Sequence, residues 1–282
     1  MIKLVECPRD AMQGRAEFID TSIKAAYINQ LLQVGFDTID FGSFVSPKAI
    51  PQMRDTADVL EQLDLFGTKS KLLAIVANVR GAEDASHFEE IDYLGFPLSL
   101  SETFQQRNIN KSISEALEAV EEIQNLCETK GKTLVTYLSM GFGNPYGDAY
   151  SPDLVAEFVR NLDQMGIKII SFADTVGTAE PTLISELYAI SSHSYPKIEF
   201  GMHLHTHPEQ LSSKITAALK AGCLRFDSAV LGFGGCPMAK DDLVGNVATE
   251  SLIRILEQEG YELDLNRMEF AVAMKLAKVV FH

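Results

Sequence analysis

Two histidines one residue apart, His203 and His205, are the sharpest chemical signal in this sequence of 282 residues. In an extended strand, residues i and i+2 point to the same side, so the pair presents two imidazoles to one centre. Two imidazoles and one carboxylate on a shared face suit a divalent cation that keeps open positions for substrate and water. Asp10 is the carboxylate placed to complete that set, because the first and last strands of a closed sheet adjoin and the seventh lies close by. The plain alternative is that both histidines only hydrogen-bond within a loop. Arg9, beside Asp10, supplies a fixed cation able to stabilise an enolate oxygen as charge develops on it; otherwise it is half of a surface ion pair of little worth. Cys236 sits in a glycine-dense run, Gly232-Phe233-Gly234-Gly235. Glycines there permit close backbone approach and unusual dihedrals, a setting for a reactive thiol more than for a packed one; the plain alternative is an inert loop cysteine. Asp174 is either a support to the site or a structural cap. Asp227 reads as a structural strand-end residue, and His207, followed by Pro208, as a helix cap, with a catalytic role as the alternative.

These side chains have to be carried on strands and brought to one rim. The chain alternates short apolar runs with amphipathic helices. Strands are expected at 2–6, 38–41, 72–77, 91–98, 133–138, 168–172, 198–203 and 225–230, with helices between them. The clearest helices follow Ser112, where Ser112 and Glu115 can form a capping box, and Ser151-Pro152, a hydroxyl cap with proline in the first turn. One helix presents Ile23, Ala26, Tyr27, Leu31 and Val34 and stops at Gly35. Another begins near Asn246, and an additional helix spans 266–279. Eight strand–helix units with short links predict a (β/α)8 TIM barrel with an extra C-terminal helix, one catalytic domain over residues 1–282. Such a barrel builds its site from the C-terminal ends of its strands. The polar residues there are Arg9, Asp10, Gln13, Asp40, Ser43, Asn78, Ser139, Asn144, Asp174, Thr175, the histidines, Cys236 and Asn246.

Composition sets the bounds. The formal charge of −15, from 39 acidic and 24 basic residues, argues against binding nucleic acid or an anionic membrane. A local arginine and a metal can still receive an anionic substrate. The apolar fraction is 46%, typical of a globular protein. No signal peptide precedes Met1-Ile2-Lys3 and no apolar run approaches a membrane span, so a reducing cytoplasm is expected. The four cysteines form no disulfide framework in such a chain, and Cys7, Cys127 and Cys223 read as packing residues.

Five stretches in order carry a resemblance over nearly the whole chain: VECPRDAMQG from Val5, SFVSPKAIPQM from Ser43, SFADTVG from Ser171, HLH from His203, and GFGGCP with GNVATE from Gly232 to Glu250. Together they resemble the 3-hydroxy-3-methylglutaryl-CoA lyases, TIM-barrel enzymes of leucine degradation and ketone-body formation that use Mg2+ or Mn2+ and are typically dimeric. The resemblance implies Asp10, His203, His205 and Asn246 as metal ligands, Arg9 at the thioester carbonyl, and Cys236 as a catalytic loop thiol. It implies Gln13, Asp40 and Asp174 as supports, an acyl-CoA substrate and a homodimer. Lys48 matches a lyase position without an assigned role. The sequence departs from the lyases at Thr206-His207-Pro208-Glu209, where they usually continue Asp-Thr-x-Gly after the second histidine. It also departs at Asp40, Met140, Asn144 and Asp241-Asp242. A related aldolase or Claisen-condensing enzyme of the same barrel group, and a non-catalytic binding paralogue, are the alternative readings.

Overall fold

A computed structural model of the chain describes residues 1–235 and 244–281. Within them, eight parallel strands close in sequence order: β1 (Lys3–Glu6), β2 (Thr38–Ser43), β3 (Lys71–Ile75), β4 (Ile91–Ser99), β5 (Thr133–Ser139), β6 (Ile169–Asp174), β7 (Glu199–Leu204) and β8 (Arg225–Ser228). β1 pairs with β8 over all four of its residues, from Lys3 beside Arg225 to Glu6 beside Ser228. This seam puts the start of the chain next to its last strand. The expected barrel is what forms, and the additional C-terminal helix is Arg267–Val280, capped by the Asn266 side chain.

Strand alternation explains where the core lies. One set of residues, among them Leu4, Ile39, Leu72, Leu94, Leu134, Ile170, Phe200 and Phe226, packs against the helices in a continuous apolar layer. The other set faces the barrel interior, which is divided. One side holds Leu73, Ile75, Tyr93, Val135, Tyr137 and Ile169. The other side carries Asp40, His203, Arg225 and Asp227, all on the β1, β2, β7 and β8 wall. A bulge between Asp40 and Gly42 breaks strict alternation in β2. It lets Asp40 and Ser43 both reach the interior side, while Gly42 turns toward the following helix, where a Cβ would lie 2.4 Å from Thr56 Cγ2.

Several elements differ from the sequence expectation. The helix Thr21–Val34 buries Lys24 and leaves Ile23 exposed, because the Lys24 ammonium is 2.6 Å from Asp55 and also bonds the Gln52 carbonyl. A short helix, Pro8–Gln13, opens directly after β1, with proline in its first turn. Another, Glu102–Ile109, follows β4, its Ser101 hydroxyl accepting from Phe104 N. β8 ends at Ser228, and the helix expected from Asn246 begins only at Thr249, because Asn246 is held in an antiparallel bridge with His205. The Ser112–Glu115 capping box is present. Cys7, Cys127 and Cys223 are buried free thiols. Cys236 and the Asp241-Asp242 pair lie outside the described residues. Among the described residues no helix is long and apolar enough to cross a membrane.

Glu6 is an exception on the outer face of β1. It is fully buried, accepts from Val230 N at 2.8 Å and pairs with Thr249 Oγ1 at 2.6 Å, with no ion-pair partner among the described residues. Burial pushes its pKa up to about 8, against the smaller opposing effect of those hydrogen bonds. The folded state therefore keeps a proton that the unfolded chain releases near 4.5. Stability from this group is full below pH 4.5 and is lost as pH rises through about 8. Glu6→Gln is expected to remove that slope, worth a few kcal/mol at ~1.4 kcal/mol per pKa unit. Urea unfolding of both proteins across this window checks it. A variant losing as much stability toward alkaline pH as the wild type contradicts the assignment.

Candidate active site

The polar wall of the barrel ends in a cluster at the C-terminal mouth. Ligand atoms of Asp10, His203 and His205 all lie within 4.8 Å of one another. Asp10 arrives on the Pro8–Gln13 helix, which turns it back over the end of β1; His203 is the fifth residue of β7, and His205 follows the strand. The convergence expected from the spacing is thus present.

Each of the three side chains is set by its neighbours. Asp10 Oδ1 accepts from Arg9 Nη1 at 3.0 Å and Gln13 Nε2 at 2.6 Å, and Oδ2 accepts from Asn246 Nδ2 at 2.6 Å. Burial acts to raise the Asp10 pKa, but Arg9, both imidazoles and the Asn246 amide outweigh it, leaving it below the ordinary carboxylate value. His203 Nδ1 is 3.1 Å from Asp227 Oδ2, which leaves Nε2 for the shared centre. Burial acts to lower the His203 pKa, and Asp227 with Asp10 overcomes it in the upward direction. His205 is held at about 4 by burial and by His203, so its ring is neutral at neutral pH. His205 Nδ1 is buried and has no protein partner. A buried, unpartnered nitrogen costs desolvation free energy unless something satisfies it. That orphan nitrogen, beside a carboxylate and a second imidazole, fits a divalent cation.

Arg9 is fixed rather than free. Its Nε is 3.2 and 3.1 Å from the two Asp40 oxygens, Nη2 is 2.5 Å from Asp40 Oδ2, and Nη1 bonds Gln13 Oε1 at 2.8 Å in addition to Asp10. Of the guanidinium donors, one N–H on Nη2 is left without an acceptor among the described residues. Asp40 is raised to about 6 by burial, against the pull of Arg9. Asp40 thus holds Arg9, and Gln13 bridges Arg9 and Asp10. Asp174 is further out: Lys214 Nζ lies 3.0 Å from its Oδ2, its carboxylate accepts from Thr178 N and Ala179 N, and its carbonyl accepts from His205 N. It fixes the loop after β6, and the next residue, Thr175, reaches the pocket.

The pocket above the cluster encloses about 130 Å3 and is lined by Arg9, Asp10, Gln13, His203 and His205 at its floor. Its walls include Ser43, Ser139 and Thr175 and an apolar side made by Ile75, Pro97 and Tyr137. Phe104, Asn108 and Ile109 also line it; they ride on the Glu102–Ile109 helix, which the sequence reading lacked. Lys48 is exposed and Asn144 shapes a turn, accepting from Tyr146 N and Asp148 N. Asn78 caps the helix Val79–Ser86. His207 is exposed at the start of the helix Pro208–Lys220 and makes no capping bond through its side chain. The unusual Thr206–Glu209 segment thus opens a helix, and His207, Pro208 and Glu209 face solvent.

Gly234 shows why the glycine run matters. Its φ is +97°, and a Cβ there would stand 2.7 Å from Asn246 Nδ2, 2.8 Å from the Asp10 carbonyl and 2.9 Å from Ala11 Cα. Gly234→Ala is expected to displace Asn246 and Asp10 together and weaken divalent-cation binding at least ~10-fold, the scale of losing an outer support to a ligand. Mn2+ titration followed by electron paramagnetic resonance reads this, and unchanged affinity contradicts it.

A family model described as HMGL-like matches residues 2–279. The chain belongs to the HMGL-like family. It is 34% identical over 269 residues to the mitochondrial hydroxymethylglutaryl-CoA lyase of Rattus norvegicus, covering 94% of this chain and 81% of that one. It is 34% identical over 251 residues to the hydroxymethylglutaryl-CoA lyase of Bacillus subtilis, covering 89% and 83%. The crystal structure of the B. subtilis HMG-CoA lyase superposes with a TM-score of 0.92 at 32% identity, over 99% of this chain and 93% of that one. An HMG-CoA lyase from Acinetobacter baumannii, solved with coenzyme A and 3-methylmalate, superposes at 0.91 with 28% identity, over 100% and 91%. The family is a lyase family, and this chain carries a cluster able to hold a metal at its barrel mouth.

Proposed function

We propose that this HMGL-like chain is a divalent-metal-dependent carbon–carbon lyase, one catalytic domain over residues 1–282. Its substrate is 3-hydroxy-3-methylglutaryl-CoA, or a close 3-hydroxy-3-alkylglutaryl-CoA, and the methyl substrate yields acetyl-CoA and acetoacetate. The observation that carries the reading is the convergence of Asp10, His203 and His205, whose Nδ1 is unpartnered, in the lining of a pocket that Arg9 also lines.

Asp10, His203 and His205 would hold Mg2+ or Mn2+, with the Asn246 amide as a further ligand. The cation, when bound, lowers the pKa of a substrate hydroxyl and polarises an adjacent oxygen. The chain's own residues do the rest. Asp10 or His203 would take the hydroxyl proton: Asp10 is a weak base because both its oxygens accept protein donors, and His203, with Nδ1 on Asp227, would accept it only through an Nε2 not engaged by the cation. As the C2–C3 bond breaks, negative charge builds on the thioester oxygen of the departing two-carbon fragment. The free Nη2 N–H of Arg9 is placed to meet it, and because Asp40 and Gln13 already fix the guanidinium, little reorganisation is needed. Cys236, or a water, would return a proton to the enolate carbon. The apolar side of the pocket keeps water from the charged intermediate.

We place the enzyme in the cytoplasm, without nucleic-acid or membrane partners, and infer a homodimer. The last helix leaves Met268, Val272 and Val279 exposed on one face, suited to a second copy. The deciding assay follows acetoacetate release from several 3-hydroxy-3-alkylglutaryl-CoA esters with Mg2+, with Mn2+ and after chelation. Cleavage that chelation abolishes and metal restores is expected. Protein that binds Mn2+ yet cleaves none of the esters contradicts the lyase reading, and condensation of acetyl-CoA with a 2-oxo acid would redirect it to the synthetic direction.

A further inference from the structure

His203 stands between two sets of polar groups. Toward the mouth it joins Asp10 and His205; toward the barrel axis it meets Asp227, with the Cys7 thiol within 4.8 Å of both. Asp227 is buried, and its second oxygen, Oδ1, has no protein partner. The same holds for Arg225 Nε and Nη2, Tyr137 Oη and Ser171 Oγ.

These groups form a polar layer two interior positions deep along the strands. Tyr137 and Ser171 are direct partners across β5 and β6, and Ser171 is beside Gly201 across β6 and β7. Met202 pairs with Phe226, which brings His203 next to Asp227. Gly201 is where the Arg225 stem crosses: a Cβ there would lie 3.0 Å from Arg225 Cδ and 3.1 Å from Cγ. The Tyr137 ring meets the His203 ring edge-on, with centroids 5.6 Å apart. Below the layer, Arg225 Nη1 is 3.4 Å from Glu199 and 3.7 Å from Asp37, and Lys3 closes the N-terminal rim on Glu199 at 2.6 Å. Polar groups thus run from the bottom of the barrel to the metal-capable cluster. The run is interrupted only between Arg225 and Asp227 Oδ1.

Leaving a buried polar group unpaired costs free energy, so five such atoms on adjoining positions of the interior wall call for a shared partner. The set combines donors on Arg225, an acceptor on Asp227 and hydroxyls that do both. A cation there would be opposed by Arg225 and an anion by Asp227. A small neutral molecule that donates and accepts matches the set, and buried water typically makes about three such bonds.

We propose that this layer is a built site for ordered water linking Arg225, Tyr137 and Ser171 to Asp227 Oδ1. So anchored, Asp227 is a positioning residue that holds His203 with Nδ1–H inward and Nε2 toward Asp10 and His205. The inference rests on the metal-dependent reading for its purpose, but its geometry stands apart from it. A carboxylate behind a ligating imidazole fixes the ring and its tautomer.

Three measurements test it. A high-resolution crystal structure of the wild-type protein is expected to show water within hydrogen-bond reach of both Asp227 Oδ1 and Arg225; side chains repacked to satisfy these atoms directly would overturn the water site. In 15N-histidine-labelled protein without metal, His203 is expected as the Nδ1–H tautomer, and Asp227→Asn should shift the tautomer balance. Mn2+ affinity should fall ~10–100-fold in Asp227→Asn, and less in Ser171→Ala, which leaves the Asp227–His203 contact in place and serves should the first variant not fold. Wild-type protein that binds Mn2+, with both variants equal to it in affinity and tautomer, overturns the positioning role. A tautomer governed by Asp227 in a wild-type protein that binds no Mn2+ sinks the metal reading and leaves the positioning role standing.

Discussion

Asp10→Asn is expected to lower kcat/KM at least ~10³-fold and to leave the barrel folded. Among the described residues the carboxylate is the only anionic group of the cluster, and on the proposed metal-dependent reading its loss removes both a strong ligand and the charge that balances a divalent ion. The amide also meets the wrong partners. Asp10 Oδ1 faces two N–H donors and Oδ2 faces a third, from Arg9, Gln13 and Asn246. Either orientation of an asparagine amide sets an NH2 group against a donor, which ejects Asn246 or loosens Arg9. The stability loss stays modest, ~1–3 kcal/mol, because Arg9 keeps its contacts with Asp40. Turnover at saturating Mn2+, Mn2+ affinity and a thermal melt measured on the same preparation separate these effects. A variant within ~10-fold of wild type with metal bound would remove Asp10 from the site. The pH dependence of metal affinity has a defined sign. Asp10 is held below the ordinary carboxylate range, whereas Asp227 and Asp10 hold His203 in the metal-free protein above the ordinary imidazole value. Protons therefore compete with the cation first at His203, and Mn2+ affinity falls toward acid as that imidazole takes its proton.

The barrel and the centre of its site are readable from the residues because each rests on a short-range rule. His203 and His205 face one side by strand alternation, and a closed sheet of eight units must set β1 against β8, which brings Asp10 over. Asn246 is different. Its side chain reaches Asp10 through a bridge to His205, and the helical pattern that begins nearby masks this. Asp227 had a signal that periodicity alone does not weigh. Arg225 and Asp227 alternate with apolar Phe226 in a strand with no exposed residue, so two charged groups must point into the barrel. Charge on the interior wall beside a histidine strand marks a partner for that histidine. The Glu102–Ile109 helix escaped because eight residues with little apolar content carry no helical period; only Ser101 as a cap announces it, and Phe104 and Ile109 of the pocket came with it. The β2 bulge that turns Ser43 inward is set by close packing of Gly42 on Thr56, a long-range contact that no local pattern contains.

Arg9 carries the second large effect, and it bears on fold and chemistry at once. Arg9→Met removes the cation from a buried bidentate pair and leaves Asp40, 1% exposed, without compensation. Breaking a buried pair from one side costs ~3–5 kcal/mol, and losing the stabiliser of the developing enolate costs ~10²–10³-fold in turnover. The two losses respond differently to a second change. In Arg9→Met/Asp40→Asn the stranded charge is gone, so most of the stability should return while turnover stays low. The pH profile supplies an independent sign. Burial already raises Asp40 from 3.8 to about 6 with Arg9 present, so its contribution to stability is full below pH 3.8 and is lost as pH rises through about 6. Without Arg9 the carboxyl holds its proton to higher pH still, and the penalty of Arg9→Met grows toward alkaline pH and shrinks in acid. Urea unfolding of the single and double variants across that range, with kcat measured in parallel, tests the assignment. If the double variant recovers turnover along with stability, Arg9 is a structural partner of Asp40 and its place beside the thioester is wrong.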